Sequence, residues 1–243
     1  MSKAYSAIGG VFEYLNDDCG YEKWSQYLIE TLLSCGVPYG ARGVDAGCGN
    51  GYFTRALTRA GFSVTGADVS PEMLSKAEEL SLKEGVKPQY ILGDIAALPL
   101  NYKPDFITAI NDCFNYIPQN KLFSVFSKLY KQLKKGGALV FDISSEHKLK
   151  HIVGSNLFAE DRGDISYTWF NELKEDRVEM DITMFIRLEN GLYERRDESQ
   201  TQYIHGEMQV LADLERAGFA VRAEGHLGGD KNERINFICT KHV

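Results

Sequence analysis

The strongest chemical pattern in the sequence is a glycine-rich segment with an acid two residues before its first glycine. Residues 45–51 read Asp-Ala-Gly-Cys-Gly-Asn-Gly, and the pattern that binds dinucleotides would place its last glycine at Tyr52 instead. Glycines let a ligand approach the main chain closely. The carboxylate of Asp45 would repel a pyrophosphate and attract an ammonium or sulfonium. The segment therefore predicts a site for a nucleotide-like ligand that carries positive charge.

Three further polar residues follow predicted strands. Asp68 ends a strand over 62–68, Asp94 follows a strand over 89–92, and Asn111 follows an apolar strand over 105–110. Each acid also has a structural explanation. Asp45 could cap a backbone turn, Asp68 could lie in a loop beside a helix cap, and Asp94 could be a turn residue. Acids at three successive strand ends favour function over coincidence.

The elements that position these residues alternate between strands and helices. Ser70 and Pro71 supply an N-cap and a first helical residue, and Gly36, Gly61 and Gly218 are suited to end helices. Predicted strands cover 42–46, 62–68, 89–92, 105–110, 138–143, 220–224 and 235–240, and predicted helices begin near 22, 52, 71, 122 and 210. This order predicts an α/β fold, with a Rossmann-like, mostly parallel seven-stranded sheet and helices on both faces.

The period changes between the fifth strand and the last helix. Apolar residues alternate with polar ones over 178–188, and Asn190-Gly191 indicates a two-residue type I′ hairpin before a strand over 192–203. A third alternating segment covers 165–169. We expect one domain over 1–243, with an N-terminal helical cap at about 1–40 and an antiparallel β insert at about 164–204. The insert is equally suited to be a stabilising flap, a dimer surface or a wall of the substrate pocket.

With these positions in order, the chain resembles the class I S-adenosylmethionine-dependent methyltransferases. Residues 45–51 are similar to the first motif of that family, and the likeness extends over about residues 20–143. It implies that Asp68 holds both ribose hydroxyls and that Met73 packs on adenine. It also implies that Asp94 accepts from the adenine amino group, and that Asn111 lies beside the methionine moiety and the methyl group.

The resemblance implies a full set of cofactor-binding residues for S-adenosylmethionine. The chain is similar in particular to bacterial small-molecule methyltransferases that carry an aromatic N-terminal helix and an antiparallel insert. Trp24 is expected equally as a core anchor of its own helix. The implied set is Tyr14, Tyr21, Trp24, Asp45, Gly47, Cys48, Gly49, Asp68, Val69, Met73, Gly93, Asp94, Ile95 and Asn111.

Methyl transfer from a sulfonium needs a nucleophile held close to the methyl carbon, so orientation can supply most of the acceleration. If the acceptor is a hydroxyl or an ammonium, a base must also remove a proton. The candidates for this catalytic role are His205, Tyr203 and Tyr116. Residues 111–114 read Asn-Asp-Cys-Phe, which lacks the (D/N)PPY signature of amino-group methylation in nucleic acids and glutamine.

Composition limits the partners. The formal net charge is −7, which disfavours nucleic acid and anionic membranes, and we expect a small-molecule acceptor. The 5 cysteines are scattered without metal-ligand spacing, so we expect reduced thiols, no metal and a cytoplasmic location. We expect neither secretion nor insertion into a membrane. The protein is expected to be a monomer or a homodimer.

Two alternatives remain open at this point. An NAD(P)-dependent reductase would also use a Rossmann-like sheet, although Asp45 and the displaced third glycine disfavour it. A non-catalytic protein that keeps an S-adenosylmethionine pocket for regulation would carry the same motifs. The two alternatives differ in the ligand that binds and in whether it is turned over.

Overall fold

The computed structural model describes residues 20–242. The strands are β1 (Arg42–Ala46), β2 (Ser63–Asp68), β3 (Gln89–Leu92), β4 (Phe106–Ala109), β5 (Ala138–Ser144), β6 (Leu157–Asp161), β7 (Ile165–Leu173), β8 (Arg177–Arg187), β9 (Tyr193–Tyr203), β10 (Phe219–Gly225) and β11 (Arg234–Lys241). The helices are α1 (Tyr21–Ser34), α2 (Tyr52–Arg59), α3 (Pro71–Lys83), α4 (Gln119–Gln132) and α5 (Glu207–Ala217). Short 3₁₀ turns and a π-helical turn at Lys148–Val153 connect them.

Seven strands form one sheet in the order β3-β2-β1-β4-β5-β11-β10. β1 to β5 are paired in parallel, and β11 runs antiparallel to both of its neighbours. This confirms the predicted fold class. Because β1 to β4 are parallel, their carboxyl ends lie at one edge of the sheet, where α/β proteins bind their ligands.

Helices cover both faces of this sheet. Successive side chains of a strand point to opposite faces, so neighbouring residues of a central strand pack against different helices. In β4, Phe106 packs in the cluster of α1 and α2, whereas Ile107 packs in the cluster of α4 and α5. Both side chains are fully buried. The central strands are therefore apolar on both faces, as a parallel sheet between two helical layers requires.

Local chemistry fixes the helix ends. The Ser70 hydroxyl accepts a 3.2 Å hydrogen bond from the Met73 amide, and Pro71 begins α3. At the other end of the chain, Gly218 ends α5 with a φ of 106°, in the left-handed region that glycine enters most easily.

The insert is a separate four-stranded antiparallel sheet in the order β6-β7-β8-β9. Its apolar side chains in β8, among them Val178 and Met180, are buried against Leu149 and Val153 of the π-helical turn. β6 was not predicted from the sequence. Its burial is low on both faces, so no hydrophobic period marks it.

The predicted type I′ turn at Asn190-Gly191 is wrong. The Gly191 amide bonds to the Leu188 carbonyl at 2.9 Å, which closes a turn with Glu189 and Asn190 as its central residues. Gly191 has a φ of 80°, whereas Asn190 is not among the residues with positive φ. Since type I′ needs positive φ at both central residues, the loop is instead a turn followed by a glycine in the left-handed region.

Candidate active site

A cavity of about 480 Å³ opens at the carboxyl ends of β1 to β4. Most of the residues predicted for the site lie around it. The predicted residues that line the cavity are Tyr21, Asp45, Gly47, Cys48, Gly49, Asp68, Val69, Met73, Gly93, Asp94, Ile95, Asn111, Tyr116 and Tyr203. The fold therefore gathers residues that are up to 182 positions apart, from 21 to 203, in one space.

The glycine turn that follows β1 needs its glycines for conformation and for space. Gly47, Gly49 and Gly51 have φ values of 68°, 54° and 79°. A Cβ at Gly47 would lie 2.4 Å from Cys113 Sγ, whereas one at Gly49 would meet only Met73 Cε, at 3.6 Å. The backbone at Gly49 thus borders open space within the cavity, where a ligand can approach it closely.

Asp45 is the acid of the glycine turn, and it is almost completely buried. Its Oδ2 accepts from the Thr54 hydroxyl at 2.6 Å, and its Oδ1 accepts from the Thr108 hydroxyl at 2.9 Å. Burial raises the pKa of Asp45 to about 6, against the effect of both hydroxyls. A cationic ligand in the cavity would favour the ionised form.

Asp68 at the end of β2 holds the next loop and the glycine turn together. Its Oδ2 accepts from the Gly49 amide at 2.8 Å, and its Oδ1 accepts from the Ser70 amide at 2.9 Å. Burial raises the pKa of Asp68, while the amides of Ser70 and Gly49 oppose this shift. The buried Met73 side chain also lines the cavity, and its Cε would lie 3.6 Å from a Cβ at Gly49.

Asp94 follows β3, and its carboxylate caps a short turn. Oδ1 accepts from the Ala96 amide at 2.8 Å, so the structural explanation considered for this residue is present. Asp94 also lines the cavity, and so do Gly93 and Ile95 beside it. A Cβ at Gly93 would lie 2.8 Å from Pro99 Cδ, so the close packing of this loop requires glycine there.

The segment after β4 has an unusual backbone. Asn111 and Asp112 have φ values of 70° and 66°, in the left-handed region. The Asp142 carboxylate accepts from both backbone amides, at 2.7 Å and 3.1 Å. Arg234 donates to Asp112 Oδ1 at 2.6 Å, to Asn111 Oδ1 at 3.3 Å, and to Asp142. Nothing in the local sequence signals this network, which joins β4, β5 and β11.

The aromatic residues predicted for the cofactor separate into different environments. Tyr21 lines the cavity, and its ring lies 4.7 Å from the ring of Tyr52. Trp24 does not line the cavity. It is 2% exposed, and its ring lies 4.6 Å from the ring of His226. Trp24 is therefore a core residue of its helix, which was the alternative to a contact with the cofactor. Tyr14 lies outside the described residues.

His205, a candidate base, is buried away from the cavity. Its Nε2 lies 3.1 Å from the Phe114 carbonyl oxygen, and its Nδ1 lies 2.6 Å from Gln119 Oε1. Burial lowers the pKa of His205, although the backbone of Phe114 opposes this shift. Both ring nitrogens are therefore occupied by structural contacts, and the fold does not bring His205 to the ligand.

Tyr116 and Tyr203 line the cavity as well. The Tyr116 hydroxyl donates to Gln200 Oε1 at 2.9 Å and accepts from Gln202 Nε2 at 3.3 Å. Both glutamines belong to β9, and Tyr203 of the same strand lines the cavity, so the insert contributes to the cavity wall. The Tyr203 carbonyl accepts from Asn115 Nδ2 at 2.9 Å, which ties the end of β9 to the segment after β4.

Several lining residues were not predicted from the sequence. Tyr52 and Phe53 directly follow the glycine turn, and Cys113, Ile117 and Pro118 follow Asn111, so extending each motif along the chain would have found them. Lys121 and Thr201 also line the cavity, and no motif marks them. Within residues 20–242, no group of three or more His, Cys, Asp or Glu side chains could hold a metal. No helix in this part of the chain is long and apolar enough to cross a membrane.

Comparison with known proteins identifies relatives of this chain among methyltransferases. Residues 44–137 match the family described as a methyltransferase domain. An S-adenosylmethionine-dependent methyltransferase from Clostridium acetobutylicum ATCC 824 is 30% identical, with 96% of each chain covered and a TM-score of 0.87. A methyltransferase homologue from Geobacillus sp. (strain WCH70) is 29% identical, over 98% of this chain and 99% of its own length.

More distant solved structures share the fold. The S-adenosylmethionine-bound amino pentose methyltransferase of Micromonospora echinaspora is 18% identical, with a TM-score of 0.72 over 95% of this chain and 96% of its own. The matched family and the Clostridium relative exclude the dinucleotide reductase considered above. They also support S-adenosylmethionine as the cofactor and an enzyme rather than a non-catalytic binding protein. The chain belongs to the class I S-adenosylmethionine-dependent methyltransferases.

Proposed function

We propose that the protein transfers a methyl group from S-adenosylmethionine to a small-molecule acceptor bound in the same cavity. One observation carries this proposal. One cavity of about 480 Å³ is lined both by carboxylates, at Asp45, Asp68 and Asp94, and by the tyrosines Tyr116 and Tyr203. A cationic cofactor and a second ligand can therefore be held in contact with each other.

The cofactor side of the cavity suits an adenosyl sulfonium. The Asp45 carboxylate offers a charge partner for a cation, and the open space at Gly49 admits a ligand against the main chain. We propose that Asp68 binds the ribose hydroxyls, that Met73 and Ile95 contact the adenine, and that Asp94 accepts from its amino group. We also propose that Asn111 lies beside the methionine moiety and the methyl group. The same space is lined by Tyr21, Gly47, Cys48, Val69 and Gly93.

When bound, S-adenosylmethionine supplies an electrophilic methyl carbon on a positively charged sulfur. The protein must then hold the acceptor in line with that carbon and exclude water, and orientation of this kind can supply roughly 7–11 kcal/mol of the barrier. We propose that Tyr203 and Tyr116 contact and orient the acceptor. His205 is left out of this role because its two ring nitrogens bind Gln119 and Phe114.

Several observations favour a small acceptor. The net charge of −7 disfavours nucleic acid. Solved proteins of the same fold include an amino pentose methyltransferase and a sugar N-methyltransferase from Streptoalloteichus sp. ATCC 53650, the latter 14% identical with a TM-score of 0.79 over 96% of this chain and 92% of its own. We further propose a single domain over 1–243. A cytoplasmic location is supported by the free thiols of Cys35, Cys48, Cys113 and Cys239.

Calorimetry tests the cofactor half of this proposal. Titration with S-adenosylmethionine, with its demethylated product and with NADH should show binding of the first two only. Incubation with S-adenosylmethionine and a metabolite extract should then produce a molecule heavier by one methylene group, detected by mass spectrometry. The Gly49→Val variant is the matched control for that product. Failure to form any product with a broad extract, despite tight cofactor binding, would argue against a small acceptor.

A further inference from the structure

A buried charged network lies directly behind the cavity wall at Asn111. Arg234 of β11 donates to the carboxylates of Asp112 and Asp142, and its guanidinium lies 4.8 Å from the centroid of the Trp24 ring. The Arg234, Asp112 and Asp142 side chains are only 11%, 14% and 0% exposed. Neither Arg234 nor Asp142 lines the cavity, whereas Asn111 does.

The network holds an otherwise unfavourable backbone. Two consecutive residues with side chains, Asn111 and Asp112, have φ values of 70° and 66°. Each such residue costs on the order of 1–3 kcal/mol and persists only where the surroundings enforce it. Here Asp142 supplies the enforcement, because its two carboxylate oxygens accept from the two backbone amides. Arg234 in turn offsets the buried charge of Asp142.

The side chain of Asn111 is held by the same network. Arg234 Nη2 donates to Asn111 Oδ1 at 3.3 Å. This contact fixes the amide group, since Oδ1 must face the guanidinium. The Asn111 Nδ2 has no hydrogen-bond partner among residues 20–242, so it is available as a donor to a ligand.

We infer that Arg234 and Asp142 are positioning residues that act through Asn111, holding its backbone and amide in the orientation needed for ligand binding. The inference rests on the proposed function, because it takes the ligand beside Asn111 to be S-adenosylmethionine. It makes β11, which contributes no lining residue to the cavity, part of the binding machinery.

A double-mutant cycle with S-adenosylmethionine affinity as its readout tests this inference. The variants are Asn111→Ala, Arg234→Met and the double variant, with the dissociation constant measured by calorimetry and the thermal midpoint measured separately. We expect each single variant to lose about tenfold in affinity, as for one lost hydrogen bond of roughly 1.4 kcal/mol. The double variant should be no more than about twofold weaker than Asn111→Ala alone, because coupled residues are not additive.

Arg216→Met is the matched control. Arg216 also pairs with a buried aspartate, Asp213 at 3.1 Å, and its guanidinium lies 3.6 Å from the centroid of the Phe123 ring, but it does not line the cavity. We expect its affinity for S-adenosylmethionine to equal that of the parent protein. If Arg234→Met does not fold, Arg234→Lys and Asp142→Asn replace it in the cycle, since each keeps the volume and part of the hydrogen bonding.

The outcomes separate the inference from the proposed function. Losses that multiply in the double variant, or an Arg234 variant that lowers only the thermal midpoint, would overturn the positioning role while leaving the proposed function intact. Absence of S-adenosylmethionine binding to the parent protein would overturn both. The inference is supported if the effects of Asn111→Ala and Arg234→Met on the dissociation constant are not additive. A residue that only stabilises the fold would not produce such coupling.

Discussion

The Gly49 amide donates a 2.8 Å hydrogen bond to Oδ2 of Asp68, so the glycine turn after β1 and the acid that ends β2 form one unit. The other oxygen of the same carboxylate accepts from the Ser70 amide. Asp68 therefore orders two loops of the cavity that it also lines. Changes at either residue should be felt mainly in cofactor binding, because both line the cavity.

Asp68→Ala should lower the affinity for S-adenosylmethionine by roughly 10–100-fold, the range expected when hydrogen bonds to a charged group are lost. The chain should still fold, since no apolar core residue is removed. Calorimetry gives the affinity, and thermal unfolding gives the stability. Asp105→Ala is a matched control, because Asp105 also accepts a backbone amide, that of Arg42 at 2.9 Å, and does not line the cavity. Equal affinities of the two variants would contradict the ribose assignment.

Gly49→Val should abolish detectable binding of S-adenosylmethionine. The new side chain would enter open space in the cavity, and the φ of 54° adds backbone strain on the order of 1–3 kcal/mol. Gly85→Val separates these two effects. Gly85 has a φ of 70° and nothing within 4 Å of an added Cβ, and it does not line the cavity. Both variants should lose similar stability in thermal unfolding, and only Gly49→Val should lose the ligand in calorimetry.

The affinity for S-adenosylmethionine should fall as the pH is lowered through about 6, the pKa to which burial raises Asp45. Because this pKa is raised, Asp45 in the ligand-free folded protein becomes protonated near pH 6, at a higher pH than the same carboxyl in the unfolded chain. The cationic ligand prefers the ionised carboxylate. Affinity should therefore be level above pH 6 and decrease by up to about tenfold for each pH unit below it.

Calorimetry between pH 7.5 and 5 measures this dependence. The demethylated product should show the same slope if Asp45 contacts the ammonium that both ligands carry. Asp45→Asn should bind weakly at every pH and lose the part of the slope that Asp45 contributes. A slope that survives unchanged in Asp45→Asn would assign the titration to another group. Asp68 is the first such group to examine, because burial raises its pKa as well.

The sheet and the part of the cavity around the glycine turn were predictable from the sequence, because their signals are local. A strand, a glycine turn and a helix start lie within a few residues at Asp45, and Ser70 caps the next helix. β6 was missed because it lacks a buried face. The network of Asp142 and Arg234 was missed because its hydrogen bonds to Asn111 and Asp112 join residues 30 to 123 positions apart. Contacts of that range depend on strand order, which motifs do not encode.

Tyr116→Phe should destabilise the junction between the insert and the main sheet. The change leaves the buried side chains of Gln200 and Gln202, which are 5% and 8% exposed, without the hydroxyl that they bind. An unsatisfied buried polar group costs roughly 1–3 kcal/mol, so the loss at both glutamines should lower the free energy of unfolding in a denaturant titration by roughly 2–6 kcal/mol. Affinity for S-adenosylmethionine should stay within about twofold, because Tyr116 is proposed to contact the acceptor and not the cofactor. Loss of a hydrogen bond to the cofactor, worth roughly 1 kcal/mol, would lower the affinity by more than that.

Tyr193→Phe is the control for this change, since Tyr193 lies on the same β9 strand but is 52% exposed and does not line the cavity. Its free energy of unfolding should equal that of the parent protein within about 0.5 kcal/mol, as for most surface substitutions. If Tyr116→Phe unfolds as Tyr193→Phe does, the two glutamines bind other partners in solution and β9 is not anchored through Tyr116. If it is less stable and also binds S-adenosylmethionine poorly, Tyr116 belongs to the cofactor side of the cavity, because loss of the insert contact alone leaves Asp45 and Asp68 in place.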